Sequence, residues 1–442
     1  MKPRTVKVLK RIGITTIALS VVYTFVLWMA GRSLHKAYAA LKADDRPMAS
    51  LEIIPERIPD IDNAALIYEG VILQLKAEAA GEQSLFEHLD EMADKVLTDP
   101  LDAEALEQFR QLAKDEIVLH SLTALVRGTR KPSYWHDTNY SDGAAVLLTH
   151  LADLKRLTRV LCANASLQSA NGNHDAAWET AIASLRMADD LKNEPLLLNQ
   201  LVRFAQHTIS IHAIHSIGAS SVPTDSQLKE LKVLLEGFDD IAPFVAAMDG
   251  ERLIFGEWAF NLKFDEITPI LGNSHSSMLD WILHFSPLRM RDHAAHLNLM
   301  HIQTKMAGQH YSPDDGTTVN QRLDKLPFYC ILTRLLMPAI NQVKRRYLQM
   351  IANTRLTRAG LAALSYRQNN GPYPSDLSAL GTEEFIDPFT QKPLVYQTTP
   401  TGFVIYSVGL NLIDDGGITT ENSMNGDVVW RHAEKVNTAA SN

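Results

Sequence analysis

An uncharged apolar stretch near the N-terminus is the most regular feature of the hydrophobic pattern. From Ile12 to Ala30 no charged residue occurs over 19 positions, and nine of these residues are Ile, Leu, Val or Phe. At 1.5 Å per residue, this length matches a hydrocarbon core of roughly 30 Å. The pattern therefore predicts one membrane-spanning helix.

Apolar positions at helical spacing dominate the chain after this stretch. Asn63 is expected to cap the first helix of the series, and Asn193-Glu194-Pro195 is expected to open another, because proline suits a first helical turn. The clearest helix ends near Asn171-Gly172, a left-handed stop, and its apolar face is formed by Leu147, Leu151, Leu154, Leu157 and Leu161. No repeat period can be followed, so residues 63–335 are predicted to form an irregular α-helical array.

The hydrophobic period changes towards the C-terminus. A long helix is predicted over residues 338–370, with Gly360 as a position where it could bend. Alternating residues then predict a β-hairpin from Leu394–Gln397 and Phe403–Ser407, and Asp427–Trp430 is a candidate third strand.

Together these patterns predict a mainly α-helical protein with an N-terminal transmembrane helix, an irregular α-helical array and a small C-terminal α+β unit. That unit combines the long helix with a three-stranded antiparallel sheet. The residues after the anchor are rich in proline and charge, which is typical of a linker. The predicted boundaries are 1–42 for the basic tip and anchor, 43–62 for the linker, 63–335 for the array, 336–431 for the α+β unit and 432–442 for a flexible tail.

Charge beside the apolar stretch predicts its orientation. Five basic residues lie within the first 11 positions, whereas the basic residues after the stretch are accompanied by Asp44 and Asp45. The positive-inside rule then puts the N-terminus in the cytoplasm and the body across a bacterial inner membrane, in the periplasm. A cleaved signal peptide with its cleavage site at Ala37-Tyr38-Ala39 is the alternative, and it would export the body as well.

Composition excludes some partners. The net charge of −9 gives no basic face for phosphate, so we expect no nucleic acid to bind. The only two cysteines, Cys162 and Cys330, lie in apolar runs, which is typical of buried thiols. A disulfide between them stays open in an extracytosolic compartment.

A series of short motifs near the C-terminus carries a resemblance. The series consists of Tyr366–Pro374 at the end of the long helix, Asp387-Pro388-Phe389, Tyr406-Ser407-Val408-Gly409, and an acidic glycine-rich loop that ends at Asp427. In order and spacing it resembles the periplasmic domain of type II secretion pseudopilins. The N-terminus lacks the prepilin cleavage pattern. The whole chain is similar to uncharacterised bacterial envelope proteins in which a helical domain precedes a pseudopilin-like tail.

The resemblance implies a calcium site, because the corresponding loop of the major pseudopilins binds calcium. Carried over by position, the candidate ligands are Asn411, Asp414, Asp415 and Asp427. Calcium prefers six to eight oxygen ligands, which side chains and backbone carbonyls of such a loop can supply. Asn411 stands where the family typically has aspartate, and a solvated acidic turn without an ion is the alternative.

Histidines raise a different possibility. His207, His212 and His215 fall on one predicted helix, and His293, His296 and His301 fall on another. Pairs spaced by three residues can ligate zinc, so a metal-dependent hydrolase would bring His212, His215, His293 and His296 together. The alternative is two ordinary polar helix faces. The sequence contains no nucleophile elbow, P-loop or dinucleotide fingerprint, and it makes no specific case for an enzyme.

The expected function is a membrane-anchored, extracytoplasmic structural or interaction protein. The resemblance makes it a candidate accessory of a type II secretion or pilus-like apparatus, with other envelope proteins as partners. The alternatives are the metal-dependent envelope hydrolase and a helical module that binds peptides or cell-wall material.

Overall fold

The fold is mainly helical and ends in a small antiparallel sheet, as predicted. It is taken from a computed structural model, which describes residues 3–99, 102–145, 148–262, 285–337, 340–381, 385–419 and 426–433. Residues 432 and 433 close the last strand, so the predicted tail lies largely outside the described residues.

The helices are numbered in chain order within the described residues. They are α1 (Pro3–Ala43), α2 (Ala64–Ala77), α3 (Leu85–Thr98), α4 (Ala103–Leu112), α5 (Glu116–Gly128), α6 (Thr149–Ala170), α7 (His174–Asp189), α8 (Leu197–Gly218), α9 (Asp225–Phe238), α10 (Ala242–Gly250), α11 (Glu257–Asn261), α12 (Ser286–Ala307), α13 (Asp315–Asp324), α14 (Ile331–Leu336) and α15 (Ile340–Asn370). The strands are β1 (Ala79–Ala80), β2 (Gln83–Ser84), β3 (Val395–Thr399), β4 (Gly402–Ser407) and β5 (Val428–Ala433).

Helix α1 has two halves with opposite surroundings. Its segment Lys10–Ala43 is long and apolar enough to cross a membrane. Most large apolar side chains from Ile12 to Met29 are exposed, whereas Ala37 and Leu41 are buried against α12. The predicted anchor is therefore one continuous helix whose second half belongs to the body.

The predicted linker packs along the body. The guanidinium of Arg46 pairs with Asp249, and Trp135 Nε1 donates a hydrogen bond to the carbonyl of Pro55 at 3.2 Å. Ile53 and Ile54 pack against a small apolar cluster of the helical array. The segment is thus an ordered connection whose contacts fix its course from α1 to α2.

Two apolar cores organise the body. One joins α2 to α6, and the other runs from Ala165 to Trp430 through α7, α8, α9, α15 and the sheet. Asn63 caps α2 by accepting a hydrogen bond from the N–H of Ala65, and Gly172 ends α6 with a positive φ of 78°, both as predicted. Cys162 and Cys330, both within the described residues, are buried free thiols.

One predicted helix start is wrong. Helix α8 begins at Leu197 rather than at Asn193-Glu194-Pro195. Glu194 is buried and accepts hydrogen bonds from Tyr140 Oη at 2.5 Å and from Asn199 Nδ2 at 3.2 Å. These bonds hold the segment extended before the helix, and burial raises the pKa of Glu194 to about 7.

The C-terminal unit packs α15 against a sheet of order β3-β4-β5, with both pairs antiparallel. The predicted hairpin is confirmed, and its turn lies between the paired residues Thr399 and Gly402. Gly360 leaves room for the Trp430 ring, because an added Cβ would lie 1.8 Å from Cζ3 of that ring. The glycine predicted as a bend is thus a slot for an aromatic ring of β5.

Candidate functional site

The acidic loop between β4 and β5 closes through glycines. Gly409, Gly416 and Gly417 all have φ between 72° and 74°, which favours glycine. A Cβ on Gly409 would lie 2.3 Å from the carbonyl oxygen of Gly426, so the two ends of the loop nearly touch. This closure brings residues 411–417 next to the start of β5.

Asp427 holds the loop together. One carboxylate oxygen accepts the N–H of Gly417 at 2.7 Å, and the other accepts the N–H of Asp415 at 3.4 Å. Burial raises the pKa of Asp427 above its ordinary value in spite of these bonds, and the charges of Asp415 and Asp414 act in the same direction. The carboxylate therefore acts as an internal cap of the loop.

The other candidate ligands also form hydrogen bonds with groups of the protein. Asp414 accepts hydrogen bonds from Tyr406 Oη at 3.0 Å and from the N–H of Gly416 at 2.9 Å. Asn411 Nδ2 donates to Asp415 Oδ2 at 3.2 Å, and its Oδ1 accepts the N–H of Ile413 at 3.1 Å. Hydrogen bonds thus join Asn411, Asp415 and Asp427 to one another, whereas Asp414 bonds to Tyr406 and Gly416.

Their arrangement does not form a ready-made cation site. Across the described part of the chain, no group of three or more His, Cys, Asp or Glu side chains could hold a metal ion. Calcium needs six to eight converging oxygens, and both carboxylate oxygens of Asp427 face backbone N–H groups. The calcium assignment stays a prediction from the resemblance.

Replacing Asp427 with alanine tests whether the carboxylate acts as a cap. Two N–H groups lose their acceptor, so we expect the free energy of unfolding to fall by about 1–3 kcal/mol. Thermal melts with calcium and with chelator should show the same loss, and Asp415→Ala should change little. A calcium-dependent rise in Tm that both variants abolish would instead support a calcium site.

Asp387 ties the Asp-Pro-Phe segment to the end of β4. It is 2% exposed, and its carboxylate accepts Phe389 N–H and Ser407 Oγ at 2.9 Å each and Val408 N–H at 3.2 Å. Three donors compensate the buried charge. The segment that contributed to the resemblance therefore has a structural role here.

The predicted histidine pairs lie in different surroundings. His215 donates to or accepts from Thr357 Oγ1 at 2.8 Å, and its ring stacks on Trp430 at 4.1 Å between centroids. His212 on the same helix is exposed. His293 lies against α1 and α11 instead, so among the described residues these histidines do not meet as a hydrolase would require.

His293 belongs to a cluster that sequence reasoning missed. Tyr38 Oη donates hydrogen bonds to both carboxylate oxygens of Glu257, at 2.8 and 3.0 Å. Nε2 of His293 lies 3.3 Å from Glu257 Oε1 and 3.5 Å from Tyr38 Oη, and its ring stacks on Phe260. We call Tyr38, Glu257 and His293 the docking cluster, because it joins α1 to α11 and α12.

The local backbone makes room for this cluster. Residues Glu251–Gly256 form a π-helical turn just before α11, and a Cβ on Gly256 would lie 2.6 Å from His296 Nε2. Burial lowers the pKa of His296 to about 3, so its ring is neutral. π-Helical turns often mark functional positions, and here the turn brings α11 and α12 close together.

Charge stabilises the docking cluster. Burial alone would raise the pKa of Glu257, but hydrogen bonds from His293 and Tyr38 and the charge of Arg252 outweigh it, and the pKa is lowered. Burial and the Glu257 hydrogen bond raise the pKa of Tyr38 well above its ordinary value. The cluster therefore consists of a tyrosine that stays protonated and a carboxylate that stays ionised at neutral pH.

The sequence did carry one signal for this docking. Leu34, Ala37, Tyr38 and Leu41 continue a helical stripe beyond the end of the uncharged stretch. Glu257, the partner of Tyr38, is 219 positions away in the sequence. The stripe could have predicted a buried face on α1, but not what covers it.

Comparisons with known proteins identify no relative of this chain. No protein-family model, no curated protein and no solved structure matches the chain. The functional argument therefore depends on the chain's own residues and geometry.

Proposed function

We propose that this chain is a single-pass inner-membrane protein whose body lies outside the cytosol and acts by binding other envelope proteins. The observation that carries the proposal is the contrast within α1, where one half exposes its apolar side chains and the other half is built into the body. A soluble protein rarely exposes so large an apolar surface. Lipid is the environment that fits it.

Energetics supports insertion of the exposed half. Nine Ile, Leu, Val and Phe residues between Ile12 and Ala30 contribute about −3 to −5 kcal/mol in total on the insertion scale. The hydroxyls of Thr16 and Thr24 bond to the carbonyls of Ile12 and Ser20, at 2.9 and 2.8 Å, so they do not need water. The helix can enter lipid with these polar groups satisfied.

Binding is the role that we assign to the body, with the C-terminal unit as its contact surface. That unit resembles pseudopilins in its motifs, and it has the long helix and three-stranded antiparallel sheet that the resemblance implies. Its acidic loop exposes Ile413 and Ile418 by 59% and 60%, which gives a partner apolar side chains between carboxylates. A type II secretion or pilus-like component is the proposed partner.

Reporter fusions test the topology. A phosphatase that is active only outside the cytosol, fused after Ala433, should be active in a bacterial host. The same fusion carrying Leu19→Arg and Val22→Arg should lose activity, because each arginine at mid-span costs about 2.5–3.5 kcal/mol. Activity confined to a cytosolic reporter would overturn the proposed orientation.

Cross-linking in membranes tests the binding role. Ile413→Glu with Ile418→Glu should abolish cross-links between the full chain and secretion components. Leu119→Glu is the matched control, since Leu119 is 57% exposed on α5, outside the C-terminal unit, and its change should leave those cross-links intact. Equal cross-linking by all three proteins would contradict the assigned surface.

A further inference from the structure

Helices α1 and α12 lie side by side and run in the same direction. Tyr23 contacts Phe285 with ring centroids 5.7 Å apart, and Asp44 Oδ2, one residue past the end of α1, lies 2.5 Å from His301 Nε2 of α12. Leu41 and Leu297 share an apolar cluster between these two contacts. The start of α12 is therefore level with the middle of α1, not with its end.

This alignment fixes the depth of the start of α12. Arg32 is the first charged residue after the apolar stretch, and Tyr23 precedes it by nine residues. At 1.5 Å per residue, Tyr23 lies about 13 Å from Arg32 towards the N-terminus of α1. Phe285 touches Tyr23, so Phe285 is level with the apolar stretch rather than beyond it.

The residues at the start of α12 fit an apolar environment. Pro287, Leu288 and Met290 are apolar, and the guanidinium of Arg289 is bonded to the backbone carbonyls of Ala259 and Leu262. The internal bonds of Arg289 allow a cationic side chain to stay near lipid. In the first turn of α12, backbone carbonyls thus take the place of water at the Arg289 guanidinium.

Charge reappears at the level where lipid phosphates would lie. A Cβ on Gly31 would be 3.7 Å from Met290 Cε, so Arg32 and Arg291 follow the same contact on the two helices. The Arg32 guanidinium lies over the Trp28 ring, 5.5 Å from its centroid. An arginine beside an exposed tryptophan is typical of a membrane interface.

Helix α14 contributes an exposed apolar residue beside this region. Asp292 on α12 accepts the N–H of Leu332 at 2.9 Å and thereby holds the start of α14. Leu336 of α14 and Leu262 both pack against the apolar cluster of Phe260 and Leu332, and the carbonyl of Leu262 accepts a hydrogen bond from Arg289. The neighbouring Leu335 is 52% exposed, so α14 exposes an apolar side chain next to the residue that joins this cluster.

We propose that the first turn of α12, together with Leu335 of α14, enters the lipid leaflet on the body's side and gives the protein a second membrane contact beside α1. The contact would bind acyl chains through Phe285, Leu288 and Leu335, and phosphates through Arg32 and Arg291. This inference rests on the proposed membrane anchoring and goes beyond it, because anchoring alone needs only α1. Two parallel helices in contact with lipid would hold the body at a fixed angle to the membrane.

Depth-dependent fluorescence quenching tests the second contact. The full chain is placed in lipid nanodiscs at one copy per disc, with a bimane label on Leu288→Cys or on Leu335→Cys. The buried Cys162 and Cys330 are left in place, and the unmutated chain is the labelling blank. Doxyl-labelled phospholipids should remove much of the emission at both positions, and aqueous iodide should remove little.

Two further labels separate the possible failures. Val21→Cys lies in the exposed half of α1 and reports anchoring, whereas Leu119→Cys lies on α5 and should respond to iodide alone. Quenching by doxyl lipid at Val21→Cys but not at Leu288→Cys or Leu335→Cys would overturn the second contact and leave the anchoring intact. Protection of those two labels from both quenchers would mean that protein covers the surface, which also overturns it. Absence of doxyl quenching at Val21→Cys would overturn the proposed anchoring itself.

Discussion

Replacing Gly360 with alanine is expected to lower the free energy of unfolding by about 2 kcal/mol, although alanine favours helices. The better helix propensity of alanine is worth about 1 kcal/mol. The new methyl, however, would lie 1.8 Å from Cζ3 of Trp430, whose ring is buried between Phe403 and His215. Overpacking of this kind typically costs about 1–3 kcal/mol and sometimes more, so the clash outweighs the propensity gain.

Urea denaturation of the full chain in detergent measures this effect, and a second glycine provides its control. Gly70 is exposed on α2 and has no atom within 4 Å of an added Cβ, so Gly70→Ala should raise stability by about 0.5–1 kcal/mol. The double change Gly360→Ala with Trp430→Leu should cost less than the sum of the two single changes. If Gly360→Ala is as harmless as Gly70→Ala, the ring does not occupy the slot.

The contrast between these glycines shows which parts of the fold the sequence could predict. A pattern inside one element is readable, such as the Asn171-Gly172 stop of α6 or the alternation of the β3–β4 hairpin. The slot at Gly360 depends on Trp430, 70 positions later, so the sequence indicated only a weak point in a helix. The start of α8 was missed for the same reason, because Glu194 is held by Tyr140 from a distant segment.

At the candidate site, too, local patterns could be predicted from the sequence and contacts between distant residues could not. The resemblance to pseudopilins, carried over by position, placed Asn411, Asp414, Asp415 and Asp427 in one loop, and hydrogen bonds there join Asn411 to Asp415 and Asp415 to Asp427. It could not predict that Asp427 would accept backbone N–H groups, since that depends on the positive φ of Gly416 and Gly417. Helical spacing likewise grouped the histidines correctly on their helices, but only the packing of α12 against α11 pairs His293 with Glu257.

Replacing Asp249 with alanine is expected to have the largest effect at the junction between anchor and body. Asp249 pairs with Arg46, which follows α1, and with Arg252 on the π-helical turn, whose side chain is 1% exposed. Removing one partner of a buried ion pair leaves an uncompensated charge, which typically costs about 3–5 kcal/mol. We expect a loss in that range in urea denaturation of the full chain.

The same change should also loosen the connection between α1 and α2. Arg46 loses its ion pair with Asp249, and Arg252, which donates to the Pro47 carbonyl, loses the carboxylate that holds it in position. Limited proteolysis should therefore cut residues 44–62 faster in Asp249→Ala than in the unmutated chain. Glu91→Ala removes the exposed pair with Lys95 on α3 and should change neither stability nor cleavage measurably.

Asp249→Asn keeps the hydrogen-bond geometry without the charge, so its stability and cleavage rate should lie between those of Asp249→Ala and Glu91→Ala. Because a stability loss without faster cleavage would assign Asp249 to the body alone, the proteolysis result decides whether this carboxylate fastens the anchor.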